Sequence, residues 1–262
     1  MQTYHEREDE LFHEWRIRLA ADDPTADFAE DGLLFRGEIN YVDGCWTRDY
    51  GDEAERWDKA RRRLLILTKD LNDCDGGWDI REETARMNGT GKDNVMTCRK
   101  HIYPNLLLWA HAILNAAEGN VMSQFKEPDW DELRVFYETA PIARVNCKKE
   151  VGTASCPNSL LKKHLNNYGD LLLRQISLYD ANVVLCCGGS GMIKDFLKEK
   201  YLHDLERFSE KGGWVYFSPQ KRVIVIDAVH PSIMGTSRKD LYEWMMADVQ
   251  DFMNRFPDFF NE

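Results

Sequence analysis

The sequence lacks any long apolar segment, and it lacks the closely spaced cysteines of common metal sites. No stretch of the 262 residues approaches 18 consecutive apolar residues, and the charged start at residues 5–10 is no signal-peptide core. We therefore expect neither a membrane span nor export, and a cytoplasmic location follows. The seven cysteines contain no Cys-x-x-Cys pair, and an odd number in a chain of this length is typical of reduced thiols.

A net positive charge is also missing. The 34 basic side chains against 45 acidic ones give a net charge of −11, which argues against a general, high-affinity binder of polyanions. The charge is uneven, because residues 144–164 carry five Lys or Arg and one Glu, a local charge of +4. A charged run is usually a solvated face, yet this one flanks a loop of interest.

The composition is that of a globular protein. Hydrophobic residues make up 43% of the chain and charged residues 30%, which excludes disordered and fibrous classes. The length allows one large α/β domain or two small ones. We expect residues 1–60 to form an N-terminal helix and an irregular segment packed on the core, and residues 61–262 to form an α/β domain.

Four short apolar runs indicate buried strands separated by helical patterns. The runs are residues 64–67, 142–145, 183–187 and 223–226, and residues 215–217 add a further strand. Alternation of strands with helices predicts a mostly parallel central sheet covered on both faces, a three-layer α/β/α sandwich. The four runs should be neighbours in one sheet.

Polar side chains follow three of these strands. Asp70 comes after the first run, Asn146 after the second, and His230 after the last. In such sheets ligands bind outside the carboxyl ends of the strands. A carboxylate there can orient water or stabilise a cation, an amide can read a heterocycle, and a histidine can donate to an anionic leaving group.

This order of motifs resembles the uracil-DNA glycosylase superfamily. The stretch Thr68-Lys69-Asp70-Leu71 stands where the family has its first motif, and Asn146 is followed by the basic pair Lys148 and Lys149. The family's closing His-Pro-Ser motif is matched by His230-Pro231-Ser232. The resemblance, from about residue 64 to 256, implies the glycosylase fold. It also implies hydrolysis of an N-glycosidic bond in DNA repair, releasing a nucleobase from DNA or a nucleotide without a cofactor or obligatory metal.

The resemblance also implies individual roles. Asp70 would activate water or stabilise the cationic sugar, and His230 would stabilise the departing base. Asn146 would contact the base and Trp78 would stack on it. The other substrate-binding candidates are Lys69, Asn72, Ser232, Lys148 and Lys149.

The chain departs from the family at the first motif. Leu71 and Asn72 replace the proline and the following aromatic residue of the best-known branch, so the sequence gives no basis for assuming that branch's exclusion of a 5-methyl group. The family also inserts an apolar wedge into duplex DNA after the closing motif, where Ile233 or Met234 would serve. The alternative is a catalytically inactive protein that keeps the fold and binds a nucleobase or nucleic acid. The ligand contains a nucleobase in either case, and single-stranded or damaged DNA is a candidate.

Other constellations fit less well. The glycine turn at residues 188–191 lacks the final glycine of a nucleophile elbow around Ser190 and the third glycine of a dinucleotide loop. Some glycosylases of the superfamily bind an iron-sulfur cluster through four cysteines. Here Cys45, Cys74, Cys147 and Cys156 lack the close spacing that such a cluster favours.

Overall fold

The chain folds into an α/β structure with a seven-stranded mixed sheet and a separate two-stranded hairpin. The computed structural model describes residues 2–34, 39–42, 45–48, 50–70, 79–81, 102–117, 119–151, 155–208 and 213–261. The helices in these ranges are α1 (Tyr4–Asp22), α2 (Glu53–Lys59), α3 (Ile102–Asn115), α4 (Trp130–Thr139), α5 (Asn158–Tyr179), α6 (Met192–Lys200) and α7 (Arg238–Arg255). The strands are β1 (Gly32–Leu33), β2 (Ile39–Val42), β3 (Cys45–Arg48), β4 (Leu64–Thr68), β5 (Ile142–Asn146), β6 (Val183–Cys187), β7 (Glu206–Arg207), β8 (Val215–Ser218) and β9 (Val223–Ala228). No helix in these ranges has the length and apolar composition needed to cross a membrane.

The large sheet has the order β1-β5-β4-β6-β9-β8-β7. Its four central strands are the four predicted runs, and each pairs with its neighbour in parallel, which confirms that prediction. The sheet as a whole is mixed, since β1 pairs antiparallel with β5, and β8 pairs antiparallel with both β9 and β7. Residues 219–222 join β8 to β9, and such a short connection permits only an antiparallel pair.

The register aligns the carboxyl ends of the central strands. Thr68, the last residue of β4, lies opposite Asn146 on one side and Cys187 on the other. Cys187 in turn lies opposite Ala228, the last residue of β9. The segments that follow these strands therefore leave the sheet side by side, which is the arrangement that brings a site together at this edge.

Two hydrophobic clusters lie on opposite faces of the sheet, because successive strand residues point to opposite sides. Leu64 and Ile66 belong to the cluster that contains the buried faces of α3 and α7. Leu65 and Leu67 belong to the cluster that contains residues of α1, α5 and α6. The N-terminal helix thus shares a core with the rest of the chain through Phe12 and its neighbours.

A network of buried charges links α1 to the sheet. Lys149, just beyond β5, forms an ion pair with Asp31, and both side chains are fully buried. Glu8 of α1 forms an ion pair with Arg81, and these side chains are also fully buried. Gln175 of α5 donates to Asp31 (2.9 Å) and thereby ties this helix to the same network. Burying these charges is tolerable because each has an opposite charge and further hydrogen bonds.

His5 connects α1 to α2. Its Nδ1 lies 3.3 Å from a Glu8 oxygen, and its Nε2 lies 3.3 Å from a Glu53 oxygen. Burial by itself would lower the pKa of His5, but hydrogen bonds to the Glu53 and Glu8 carboxylates raise it above its usual value of 6.5. The protonated imidazole is therefore the form that holds the two helices together.

Replacement of Lys149 by methionine should destabilise the protein by about 3 to 5 kcal/mol, because it leaves the buried Asp31 carboxylate without its counter-charge. Urea unfolding measures the effect. The control Lys163→Met removes the same charge from an exposed position of α5 and should change stability by less than about 0.5 kcal/mol. Equal stability of the two variants would contradict this account of the network.

The contribution of His5 to stability should depend on pH. Because its folded pKa is raised, the contribution is fully present below pH 6.5 and is lost as the pH rises through the folded pKa. The free energy of unfolding, measured in urea across this range, should therefore fall more steeply with pH in the wild type than in His5→Gln. Parallel pH profiles for the two proteins would show that His5 is not responsible.

Candidate functional site

A cleft of about 480 Å³ opens at the carboxyl ends of β4, β6 and β9. Lys69 follows β4, the glycine turn of residues 188–191 follows β6, and His230 follows β9. Asp227, the penultimate residue of β9, also lines the cleft, and burial raises the pKa of its carboxyl group. Cationic, acidic and imidazole groups therefore meet in one polar cleft.

Gly188 allows Lys69 and His230 to approach each other. A Cβ atom on Gly188 would lie 3.3 Å from Cδ of Lys69 and 3.3 Å from Cβ of His230, and the backbone φ of +86° is unfavourable for other residues. Gly188 N–H also donates to the Ala228 carbonyl (2.9 Å) and fixes the turn against β9. The glycine turn thus serves close packing of the cleft walls.

The hydrogen bonds of His230 define its tautomer. The backbone N–H of Ser232 donates to His230 Nδ1 (3.2 Å), and Ser232 Oγ lies 2.7 Å from the same atom. Because a backbone N–H can only donate, Nδ1 must accept, and the proton of the neutral ring lies on Nε2. His230 therefore carries an N–H donor on the ring nitrogen that Ser232 does not occupy.

Burial and two nearby cations keep this imidazole neutral. Burial lowers the pKa of His230 below 6.5, and the charges of Lys69 and Arg144 lower it further. At neutral pH the side chain is thus a hydrogen-bond donor without a charge of its own. Such a donor can stabilise an anion that forms during a reaction.

The turn that carries His230 is held by residues that the sequence analysis missed. Asn105 of α3 donates from Nδ2 to the Pro231 carbonyl (2.5 Å), and its Oδ1 accepts from Nε of Arg238 (3.2 Å). Arg238 also lies over the Trp130 ring at 5.0 Å. The sequence did not indicate that Asn105 holds this turn, because Asn105 lies within a run of apolar residues that only predicts a helix.

Asp70 is 8% exposed and directly follows Lys69. Burial raises the pKa of the Cys156 thiol, and the charge of Asp70 raises it further. Asp70 is not among the residues that line the cleft. The structure thus brings Lys69 to the cleft beside His230, while Asp70 does not line it.

Asn146 is part of the buried hydrogen-bond network, and its predicted contact with a base stays a prediction. The side chain is completely buried, its Oδ1 accepts from the Thr68 hydroxyl (2.5 Å), and its Nδ2 donates to Asp31 (3.2 Å). Its backbone N–H donates to the same carboxylate (2.7 Å). With both ends of the amide engaged, Asn146 joins the ends of β4 and β5 to the buried network.

Lys148 and Lys149, for which phosphate contacts are predicted, form internal bonds in the structure, and their predicted role stays untested. Lys149 is paired with Asp31 in the core, and Lys148 is 2% exposed with its Nζ bonded to the Glu150 carbonyl. The basic run of residues 144–164 is therefore largely an internal feature. Lys162 and Lys163 of α5 are the exposed cations that remain from it.

Ser232 was expected to touch a phosphate, but its hydroxyl and N–H both meet His230 Nδ1. Trp78, Asn72 and Leu71 lie outside the residues that the structure describes, and their predicted roles stay predictions. Beyond Ser232 the side chains are open, with Ile233 40% exposed and Met234 90% exposed.

The described residues do not complete the two alternative sites considered from the sequence, a Ser190 nucleophile and a cysteine-bound iron-sulfur cluster. The Ser190 hydroxyl accepts from Asn158 (3.4 Å), while the hydrogen bonds of His230 go to Ser232. Cys147 and Cys156 are free thiols in the core. No group of three potential metal ligands occurs within the described ranges, and Cys74 lies outside them.

Replacing Lys69 by methionine should raise the pKa of His230 toward 6.5, because it removes one of the two cations that disfavour the imidazolium. An NMR titration of the His230 ring measures this shift directly. Lys162→Met, which removes an exposed charge of α5, is the matched control and should leave the titration unchanged. An unchanged pKa in Lys69→Met would show that Lys69 does not act on the ring.

Comparison of the chain with models of known protein families and with curated proteins gives no match.

Proposed function

We propose that the protein hydrolyses an N-glycosidic bond and releases a nucleobase from DNA or from a nucleotide. The observation that carries this proposal is the neutral His230, held by Ser232 with its second ring nitrogen as a donor, beside Lys69 in the cleft. A base leaves a sugar with the electron pair of the C–N bond, so negative charge develops on its ring. A fixed donor near a cation is suited to stabilising that charge.

The proposed reaction uses His230, which follows β9, and Asp70, which follows β4. The bond between C1′ of the sugar and the base nitrogen breaks, and the electron pair goes to the base, whose oxygen accepts a hydrogen bond from His230. Water then forms a bond to C1′, and its proton passes to the carboxylate of Asp70, which also stabilises the cationic sugar before attack. The proposal requires that the carboxylate of Asp70, which directly follows the cleft residue Lys69, faces the cleft when substrate is bound.

The fold supports the same proposal at the level of architecture. We infer a three-layer α/β/α sandwich of the uracil-DNA glycosylase type, because four parallel strands in the order β5-β4-β6-β9 carry the three motifs at one edge and apolar clusters lie on both faces. The exposed Ile233 and Met234 after the closing motif fit an apolar wedge that enters a nucleic acid. DNA repair in the cytoplasm is the biological role that follows from this proposal.

The second candidate is a protein that binds a nucleobase or nucleic acid without chemistry. The position of Asp70 outside the lining of the cleft favours it, because the proposed chemistry needs this carboxylate and binding does not. The two candidates differ in one observable, the appearance of free base.

The test is release of free uracil from a single-stranded oligonucleotide that contains one deoxyuridine, followed by mass spectrometry. We expect release by the wild type and a rate at least about 10²-fold lower for His230→Ala, because the donor acts on charge that develops in the transition state. His203→Ala changes an exposed histidine and should retain full activity. Binding of the oligonucleotide without any release would favour the second candidate.

Asp70→Asn should abolish most of the release while leaving affinity for the oligonucleotide within about threefold. The amide has the shape of the carboxylate but can neither accept the proton of water nor stabilise a cation. Single-turnover release and equilibrium binding should be measured on the same preparation. Wild-type release by this variant would remove Asp70 from the proposed chemistry.

A further inference from the structure

Arg144 is a buried cation that has no counter-charge among the residues that the structure describes. It lies in the middle of β5 and is 4% exposed. Its guanidinium makes one hydrogen bond within the described residues, from Nη1 to the hydroxyl of Tyr103 (3.2 Å), and its Nε is buried without a partner. The described part of the chain places no carboxylate within ion-pair distance of it. Arg81 and Lys149, which are equally buried, each contact a carboxylate.

This arrangement is energetically unfavourable for the protein alone. A buried charge is normally paired, because transfer of an ion out of water is not offset by hydrogen bonds to neutral groups. The Tyr103 hydroxyl and ring, whose centroid lies 5.4 Å from the guanidinium carbon, supply only neutral contacts. A guanidinium has five N–H donors, so several of them remain available for an acceptor.

Arg144 does not line the cleft itself but lies behind the strand ends that border it. It is paired in register with Ile66 of β4, two residues before Thr68 and Asn146 at the ends of the strands. Tyr103 is in the first turn of α3, and Asn105 of the same turn holds Pro231 beside His230. After the larger effect of burial, the charge of Arg144 lowers the pKa of His230, which follows β9, and that of Cys187, which ends β6.

We propose that the carboxyl edge of the sheet contains an oxyanion subsite in which Arg144 is the buried counter-charge for the ligand. Lys69 and the Nε2–H of His230 complete the positive side of this subsite. The ligand therefore carries a full negative charge on oxygen when it is bound. This inference rests on the proposed function only for the identity of the ligand as a nucleobase compound.

Two groups of such a ligand have this chemistry. One is a phosphate, which an arginine recognises through paired N–H donors. The other is the ring oxygen of a lactam base that has lost a proton, as the departing base has in the proposed reaction. Orthophosphate and free uracil are therefore the two probes, and uracil is compared at neutral and mildly alkaline pH, where its anion becomes abundant.

The experiment measures the thermal unfolding midpoint of the full chain with each probe, because a ligand that binds the folded protein raises this midpoint. Orthophosphate should raise the unfolding midpoint of the wild type, or uracil should raise it by more at mildly alkaline pH than at neutral pH, because the uracil anion forms there. Arg144→Met should lower the affinity for that probe at least about tenfold. Arg61→Met removes the same charge from an exposed position before β4 and should respond like the wild type.

The probe-free protein supplies a second readout that a structural role would not give. Replacing an uncompensated buried charge with an apolar side chain of similar shape should leave the midpoint unchanged or raise it. Tyr103→Phe, which removes the neutral partner of Arg144, should retain binding of the probe.

Three results would overturn the proposal. They are a wild type that responds to neither probe, a response that persists in Arg144→Met, and an Arg144→Met protein that unfolds more easily or fails to fold. The last result would show that the guanidinium already stabilises the protein without ligand. If Arg144→Met still releases the base, the proposed function is supported and the subsite is not. If phosphate binding depends on Arg144 but no base is released, the subsite is supported and the proposed function is not.

Discussion

The buried ion pair between Asp31 and Lys149 is the contact on which the organisation of the site depends. Asp31 accepts from Lys149, from Gln175 of α5, and from both the backbone and the side chain of Asn146. Through Asn146 it reaches Thr68, so the ends of β4 and β5 are fixed to each other and to α5. Loss of either charge would leave the other unpaired in the core and would loosen the strand ends.

Buried charges are paired on one side of β5 but not on the other, among the residues that the structure describes. On one side Glu8, Arg81, Asp31 and Lys149 compensate one another and join α1 to the sheet. On the other side the one hydrogen bond of Arg144 within the described residues goes to a phenol hydroxyl, and Lys69 lies close to a histidine that burial and these cations keep neutral. The compensated network stabilises the fold, while we propose that the region around Arg144 receives the negative charge of a ligand.

The four central strands could be predicted because continuous apolar runs such as residues 183–187 occur where both faces of a strand are buried. The edge strands could not, since β1 and β7 have two residues each and are specified by their pairing partners. Placement of His230 and Lys69 at one edge also followed from strand order. The roles of Asn146 and Lys149 did not, because Asp31 lies more than 100 residues away in sequence and only the folded chain shows that it takes up their polar groups. Arg144 was noticed only as one charge in a basic run, and the sequence does not show that it lacks a partner.

The most direct test of the account is the protonation state of His230 in the ligand-free protein at neutral pH. Nitrogen chemical shifts of an isotopically labelled ring distinguish the two neutral tautomers and the imidazolium. The account predicts a neutral ring with an unprotonated Nδ1 and a proton on Nε2, as the hydrogen bond from the Ser232 N–H requires. An imidazolium, or a neutral ring with its proton on Nδ1, would contradict the assignment of His230 as a neutral donor to an anion.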